Sequence, residues 1–476
     1  MKATLLSAML ACPSFASAHS FGQLYNLPVP LWMYLYGAAA ALLASFVLVA
    51  VFIGAAAVDT SAPHPALQRP PSLFARCCQA LLPVLRRLSV GLLLLCIATG
   101  FFGTQNPYMN FNMTFFWIMF ILLFTYLTAF VGDVFRFVSP WRVITDALPA
   151  AWRNGRYHYP ERLAYWPALL FYVGFISLEL FAKTTPQGLA SLLLGYSMVN
   201  LLGVSLLGQR AWFRYIEFFS VFLRLVAMMA PLQWRQGRLL WRMPFSGLNG
   251  HRAESYSLVV FILFMLASTA FDGLRGTITW VNVFWADTFN ILTPWLGKPP
   301  VYFYVQLRPW YTVYELTWLW LSPLIYFTVF MVFVALARGI TGTAVSTREL
   351  ALRLAFSLLP IALVYHLTHY YTLIFTQGVK IVSLLSDPFG WGWNLFATVD
   401  VFRRPIMPDM AWIWHSQVGL IVFGHIVSVY VAHREATALL ASSRQAAVSQ
   451  LPMLALMMLL TASGLWILAQ PMSGGG

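Results

Sequence analysis

Of the 476 residues, 60% are hydrophobic and only 9% are charged, and the mean hydropathy is +0.72. No water-soluble domain of this size carries that balance, so the chain reads as an all-α, polytopic helical membrane protein. The net charge of +14 comes from arginines in short loops between apolar runs, where they set orientation, and it gives no reason to expect nucleic acid as a partner.

The chain opens "MKATLLSAMLACPSFASAHS", with basic Lys2, a short apolar core and Ala-Ser-Ala ending at Ala18. This is the pattern of a cleaved secretory signal over residues 1–18, which leaves His19 as the mature N-terminus and residues 19–476 as one helical transmembrane domain. Runs of about 20 apolar residues then predict ten spans, near 31–54, 88–103, 113–132, 163–183, 188–208, 256–273, 311–337, 353–377, 411–432 and 450–469. A further run, 215–232, carries Glu217 and Arg224 between flanking arginines, and is expected to be an interfacial or re-entrant helix. With a cleaved signal the mature N-terminus lies outside. Most Lys and Arg then fall in the inside loops, which predicts a multi-pass membrane protein with both mature termini outside.

The stretch "GDVFRFVSPWRV" places Asp133, Arg136 and Arg142 in an ion-paired turn, with Pro140 stopping a helix at its predecessor. Cys12, Cys77, Cys78 and Cys96 offer no extracytoplasmic pair, so no disulfide framework is expected.

Ionisable residues inside spans are costly in hydrocarbon and mark function or bundle-internal bonding. Glu179, Asp272 and Glu315 all fall toward the outer ends of their spans. In the eighth span, "LVYHLTHYYTLIF" places His366 and His369 about 60° apart on one stripe, with Tyr370 beside them. His425 in the ninth span matches His366 in depth.

Three imidazoles from two neighbouring spans could hold a divalent transition metal, zinc or copper, with an open position. Asp272 or Glu315 would orient a ligand or a bound water. The competing reading is that these histidines hydrogen-bond adjacent helices. A mature N-terminal His19, through its amine and imidazole, could chelate copper.

At "GDVFRFVSPWRVI", "LASTAFDGL", "YHLTHYYTLIFTQGVKIVSLLSDPFGWGWNLF" and "GHIVSVYVAHREA" the chain resembles the bacterial membrane-bound fenitrothion hydrolase family, as does "AHSFGQLYNLPVPLWMYLYGAAAALL" near its start. The resemblance covers nearly the whole chain, and implies an enzyme that cleaves an apolar phosphotriester and releases a nitrophenol. The lipid bilayer and an apolar small molecule are then the expected partners, with a partner subunit left open. Two other functions stay open beside it. One is a redox protein with haem b or copper on His366 and His425, and the other is a proton- or metal-coupled transporter using Glu179, Asp272 and the histidines.

Overall fold

The computed structural model describes residues 29–52, 73–235, 238–402, 405–440 and 442–470. The expected signal segment 1–18 and His19 lie outside the described residues.

Among the described residues, nine helices are long and apolar enough to cross a membrane. They are α1 (Leu31–Phe52), α2 (Leu73–Phe102), α3 (Phe111–Val131), α5 (Pro186–Leu207), α7 (Tyr256–Arg275), α8 (Tyr304–Thr341), α9 (Thr347–Thr376), α10 (Met410–Leu439) and α11 (Ser443–Ala469). The fourth expected span forms α4 (Trp166–Phe181), which at 16 residues is shorter than the rest. Its length of about 24 Å falls below the roughly 30 Å hydrocarbon thickness. The chain is a multi-pass helical membrane protein.

Contacts fix the relative directions of the helices around α7 and α9. Tyr165 N–H donates to the Ser257 hydroxyl while Arg275 donates to the Leu180 carbonyl, so α4 and α7 run parallel. Ala253 N–H bonds to Leu352 and Tyr370 to Asp272, which makes α9 parallel to α7 as well. Tyr126 meets His366 while Ile118 lies beside Gly378, and Gln417 meets Thr368 while Ser428 meets Ser357, so α3 and α10 run antiparallel to α9. One end of the bundle therefore collects arginine-bearing loops such as 132–162, and the other the long connections rich in Trp, Pro and Gly around 276–303 and 387–402.

Burial of α7 is unbroken from Ser257 to Gly273. A helix apolar nearly all round belongs at the centre of a bundle. Its three central polar residues, Ser268, Thr269 and Asp272, must therefore find partners inside the protein.

The run 215–232 enters the bundle. Glu217, 1% exposed, caps α6 (Phe218–Ala227) by accepting from Phe219 N–H and Ser220 N–H and from the Tyr196 hydroxyl. Arg242 closes the other end by donating to the carbonyls of Ala227, Met228 and Ala230. An anion at the N-terminus and a cation at the C-terminus both match the helix dipole, which lets a ten-residue helix lie buried. Of the two expectations for this run, the re-entrant one matches its burial. The intervening strands β1 (Leu232–Arg235) and β2 (Arg238–Trp241) form a hairpin near Val131, whose carbonyl accepts from the Trp234 indole.

The turn expected after α3 is present without the expected ion pairs: among the described residues no salt bridge joins Asp133 to Arg136 or Arg142, whose guanidinium groups lie over Phe137 and Phe213. A helix over Phe135–Val138 stops before Pro140, and the Ser139 hydroxyl caps the next, Pro140–Asp146. Arg136 N–H donates to Asp133.

Candidate functional site

Within α3, residues Thr114–Leu123 form a π-helix of ten residues. Such wide turns are rare and concentrate at functional sites. Here the stretch and the turn after it supply Phe120, Ile121 and Thr125 to the wall of an internal cavity of about 40 Å³. The remaining wall comes from α4, α6, α7 and α9, with Tyr172, Glu179, Ser268, Thr269, His366 and Tyr370 as its polar members. At roughly 10–15 Å³ per water, the space suits about three waters.

His366 is held from outside the cavity by Tyr126. The Tyr126 hydroxyl donates to the His366 carbonyl at 3.2 Å and lies 3.3 Å from Nδ1. The two contacts fix the orientation of the ring, and in the tautomer whose Nδ1–H donates to the tyrosine oxygen, Nε2 carries the lone pair. Phe222 from α6 lies tilted against the same ring, with centroids 6.4 Å apart.

Tyr370 leads out of the cavity. Its hydroxyl donates to Asp272 Oδ2 at 2.8 Å, and His369 Nε2 lies 3.0 Å from that same oxygen. Asp272 is 3% exposed, whereas the His369 side chain retains 13%. A hydrogen-bonded series of three titratable groups thus runs from the cavity wall to a partly accessible imidazole. Gly273 beside it allows α11 to approach, since a Cβ there would meet Ile467 at 2.7 Å.

The expected roles of the other residues change with their surroundings. Glu315 faces Arg275 at 3.2 Å, and no histidine is among its hydrogen-bond partners. Arg275 also stacks over Phe181 and donates to the Leu180 carbonyl, so this pair ties α4, α7 and α8 together beside the cavity.

His425 does not join His366. The side of α9 that meets α10 carries Ser357, Val364, Thr368 and Tyr371, through bonds to Ser428, Gln417 and Ser416 and through close packing on Gly424. His366 lies about 160° round the helix from Thr368, on the opposite side. His425 donates from Nδ1 to its own helix at Ile421 O, and its buried Nε2 has no hydrogen-bond partner. Ile421, one turn earlier, packs on Ala38 and Leu465, which directs His425 toward α1 and α11.

The three imidazoles expected to share an ion therefore face three different places. Among the described residues no group of three His, Cys, Asp or Glu side chains is arranged to hold a metal ion. The donors present do not fit a three-histidine zinc or copper centre, nor a haem held between His366 and His425, because α9 itself stands between those two rings.

Sequence reasoning passed over Tyr126, which holds His366, and read the run of α6 as an interfacial or re-entrant helix without linking it to that histidine. Tyr126 lies in an apolar run beside Thr125 and Thr128, with no ionisable neighbour to single it out.

Fold and cavity together define a multi-pass helical membrane protein with a buried polar centre. Comparison of the chain with protein-family models, with characterised proteins and with solved structures finds no match in any of the three.

Proposed function

We propose that this is a membrane-embedded hydrolase of uncharged phosphotriester-type esters, acting through acid–base chemistry at the α3–α4–α6–α7–α9 cavity. The observation that carries the reading is the pairing of a water-sized cavity with a tyrosine-oriented His366 and with Tyr370, which connects through Asp272 to His369. The resemblance to the fenitrothion hydrolase family supplies the substrate class.

In this reading a cavity water attacks the phosphoryl centre and forms the new P–O bond. Its proton passes to His366 Nε2 as general base. The aryl P–O bond breaks, and the aryloxide leaves with the electron pair and takes up a proton, giving a nitrophenol and a phosphodiester. Tyr370, Asp272 and His369 exchange the net proton with the medium. The centre lies nearer the aromatic end, which the charge pattern assigns to the outside, and the resemblance to the periplasmic side of a bacterial inner membrane.

The test is release of nitrophenol by purified protein. His366→Gln should lower turnover by about 10²–10⁴, and wild-type turnover unchanged after chelation, with no stoichiometric zinc or copper by elemental analysis, would support a metal-free site. An unaltered rate in His366→Gln would remove the proposal, and a Soret band would point to haem instead.

One observation favours a second reading. The series from cavity to partly exposed His369 is also what a proton-coupled transporter needs, and a cavity of about 40 Å³ suits ions and water. Proton flux in proteoliposomes that is lost in Asp272→Asn, in protein lacking ester turnover, would establish it.

A further inference from the structure

The polar cavity is too small to admit an aryl ester, so a substrate must approach it from elsewhere. Beside it lies a second, larger space of about 250 Å³ between α2, α3 and the short helices after α3. Its walls are leucines of α2, including Leu88, Leu92 and Leu93, the phenylalanines of the π stretch, and Trp141. The polar groups in that wall are already engaged, since Ser89 donates to the Arg86 carbonyl and the Trp141 indole to Ser197. No charged side chain lines it. An ion entering there would shed its hydration with nothing in return, whereas an uncharged ring gains contact on several aromatic faces. On its outward side α2 presents Leu81, Leu88 and Leu94, each half exposed or more. This is the face a helix turns to lipid.

One side chain belongs to both spaces. Phe120 lines the apolar cleft and the polar cavity alike. It packs edge-on against Phe219 of α6 at 5.1 Å, and stands on the π stretch, where backbone bonding is less regular than in an α-helix.

We infer that substrate reaches the polar centre sideways from the lipid, through the apolar cleft, with Phe120 as the gate between cleft and cavity. The occupant is an uncharged, lipid-partitioning aryl ester. Its identity as a substrate rests on the hydrolytic reading, but the route does not. Rotation of Phe120 would expose the bound ester to the water held at His366 and Tyr370, while the aryl group stays among rings.

The test uses the intact protein in lipid nanodiscs and an uncharged phenyl-diazirine phosphotriester as photoprobe, with labelled peptides mapped by mass spectrometry. Wild type should label over residues 85–96 and 115–124, and excess unlabelled triester should compete. Leu93→Trp fills the cleft and should cut labelling by at least about tenfold. Leu193→Trp, from the opposite wall, makes the same test in a variant that folds independently. Phe120→Ala should extend labelling to the peptide that holds His366 and Tyr370, and Phe120→Trp should abolish that extension.

Labelling unchanged by both tryptophan variants, or equal labelling by a sulfonated probe, overturns the route. Labelling that lipid acyl chains displace but excess triester does not would assign the cleft to lipid, and also overturns it. Cleft labelling without ester turnover sinks the hydrolytic reading and leaves the route standing. Turnover that survives a filled cleft does the reverse.

Discussion

Tyr370 and His369, adjacent in sequence, both reach one oxygen, Asp272 Oδ2, at 2.8 and 3.0 Å. Successive side chains on a helix diverge by about 100°, so only an acceptor seated in the notch between them can take both. Central, parallel α7 provides that acceptor one turn before its end. Asp272→Asn keeps the shape but changes what the group can accept. Turnover should fall by about 10²–10⁴ with a stability loss of about 1–3 kcal/mol, read as nitrophenol release and as a melting shift. A fully active Asp272→Asn protein would exclude Asp272 from the chemistry.

The two deeply placed histidines should behave differently. His366→Gln removes the base at the cavity wall, whereas His425→Gln touches a residue bonded to its own helix on the far side of α9. Steady-state rates of the pair measured side by side should show loss in the first and little change in the second. Equal losses would restore a shared centre.

How much of this was readable beforehand differs between fold and site. Long apolar runs in the sequence predict the spans and their alternation, because hydrocarbon demands length and backbone satisfaction. The polar character of the eighth span is equally visible, and His366, His369 and Tyr370 all belong to the centre or its exit. What each of them faces is not visible. α9 is polar on two sides, with Thr368 and Tyr371 meeting α10 while His366 meets α3. Spans eight and nine are neighbours in the chain, and that proximity suggested that their histidines meet. The packing of Gly424 on Val364 decides otherwise, since it turns a different face of α9 toward α10.

Buried α6 depends on charged caps at both ends. Arg242→Ala would leave the carbonyls of Ala227, Met228 and Ala230 without their donor. The cost should be about 2–3 kcal/mol, seen as a lower melting temperature in detergent. Unchanged melting would mean that water replaces the guanidinium.

Close helix contacts supply another check. A Cβ at Gly203 would strike the Trp212 ring, and one at Gly464 the Tyr365 hydroxyl. Gly203→Ala and Gly464→Ala should each destabilise by about 1–3 kcal/mol, whereas Gly195→Ala, with open space around it, should be nearly silent in the same thermal assay.

Asp287 predicts a pH dependence in the aromatic-end loop. Partial burial pushes its carboxyl upward, but Thr293 and the amides of Ile291 and Leu292 outweigh that and hold it below the usual carboxylate range. A depressed folded value means that the stabilisation is present above the unfolded value near ~3.9 and is lost as pH falls through the folded one. The protection of the 291–293 amides, taken relative to their intrinsic exchange rate at each pH, should therefore fall only in strong acid, below about pH 4. A loss of protection near neutrality would contradict the assignment.

The self-capped helix between α5 and α7 bears on biogenesis. Glu217, Arg224 and Arg242 make this segment a poor candidate for insertion by hydrophobicity alone. It reaches its seat against Tyr172 and Tyr196 only once the helices that carry them, α4 and α5, are in place. The wall that covers His366 is therefore assembled late, by folding of a segment the insertion machinery has no reason to leave in the membrane, and the centre closes only when its scaffold is complete.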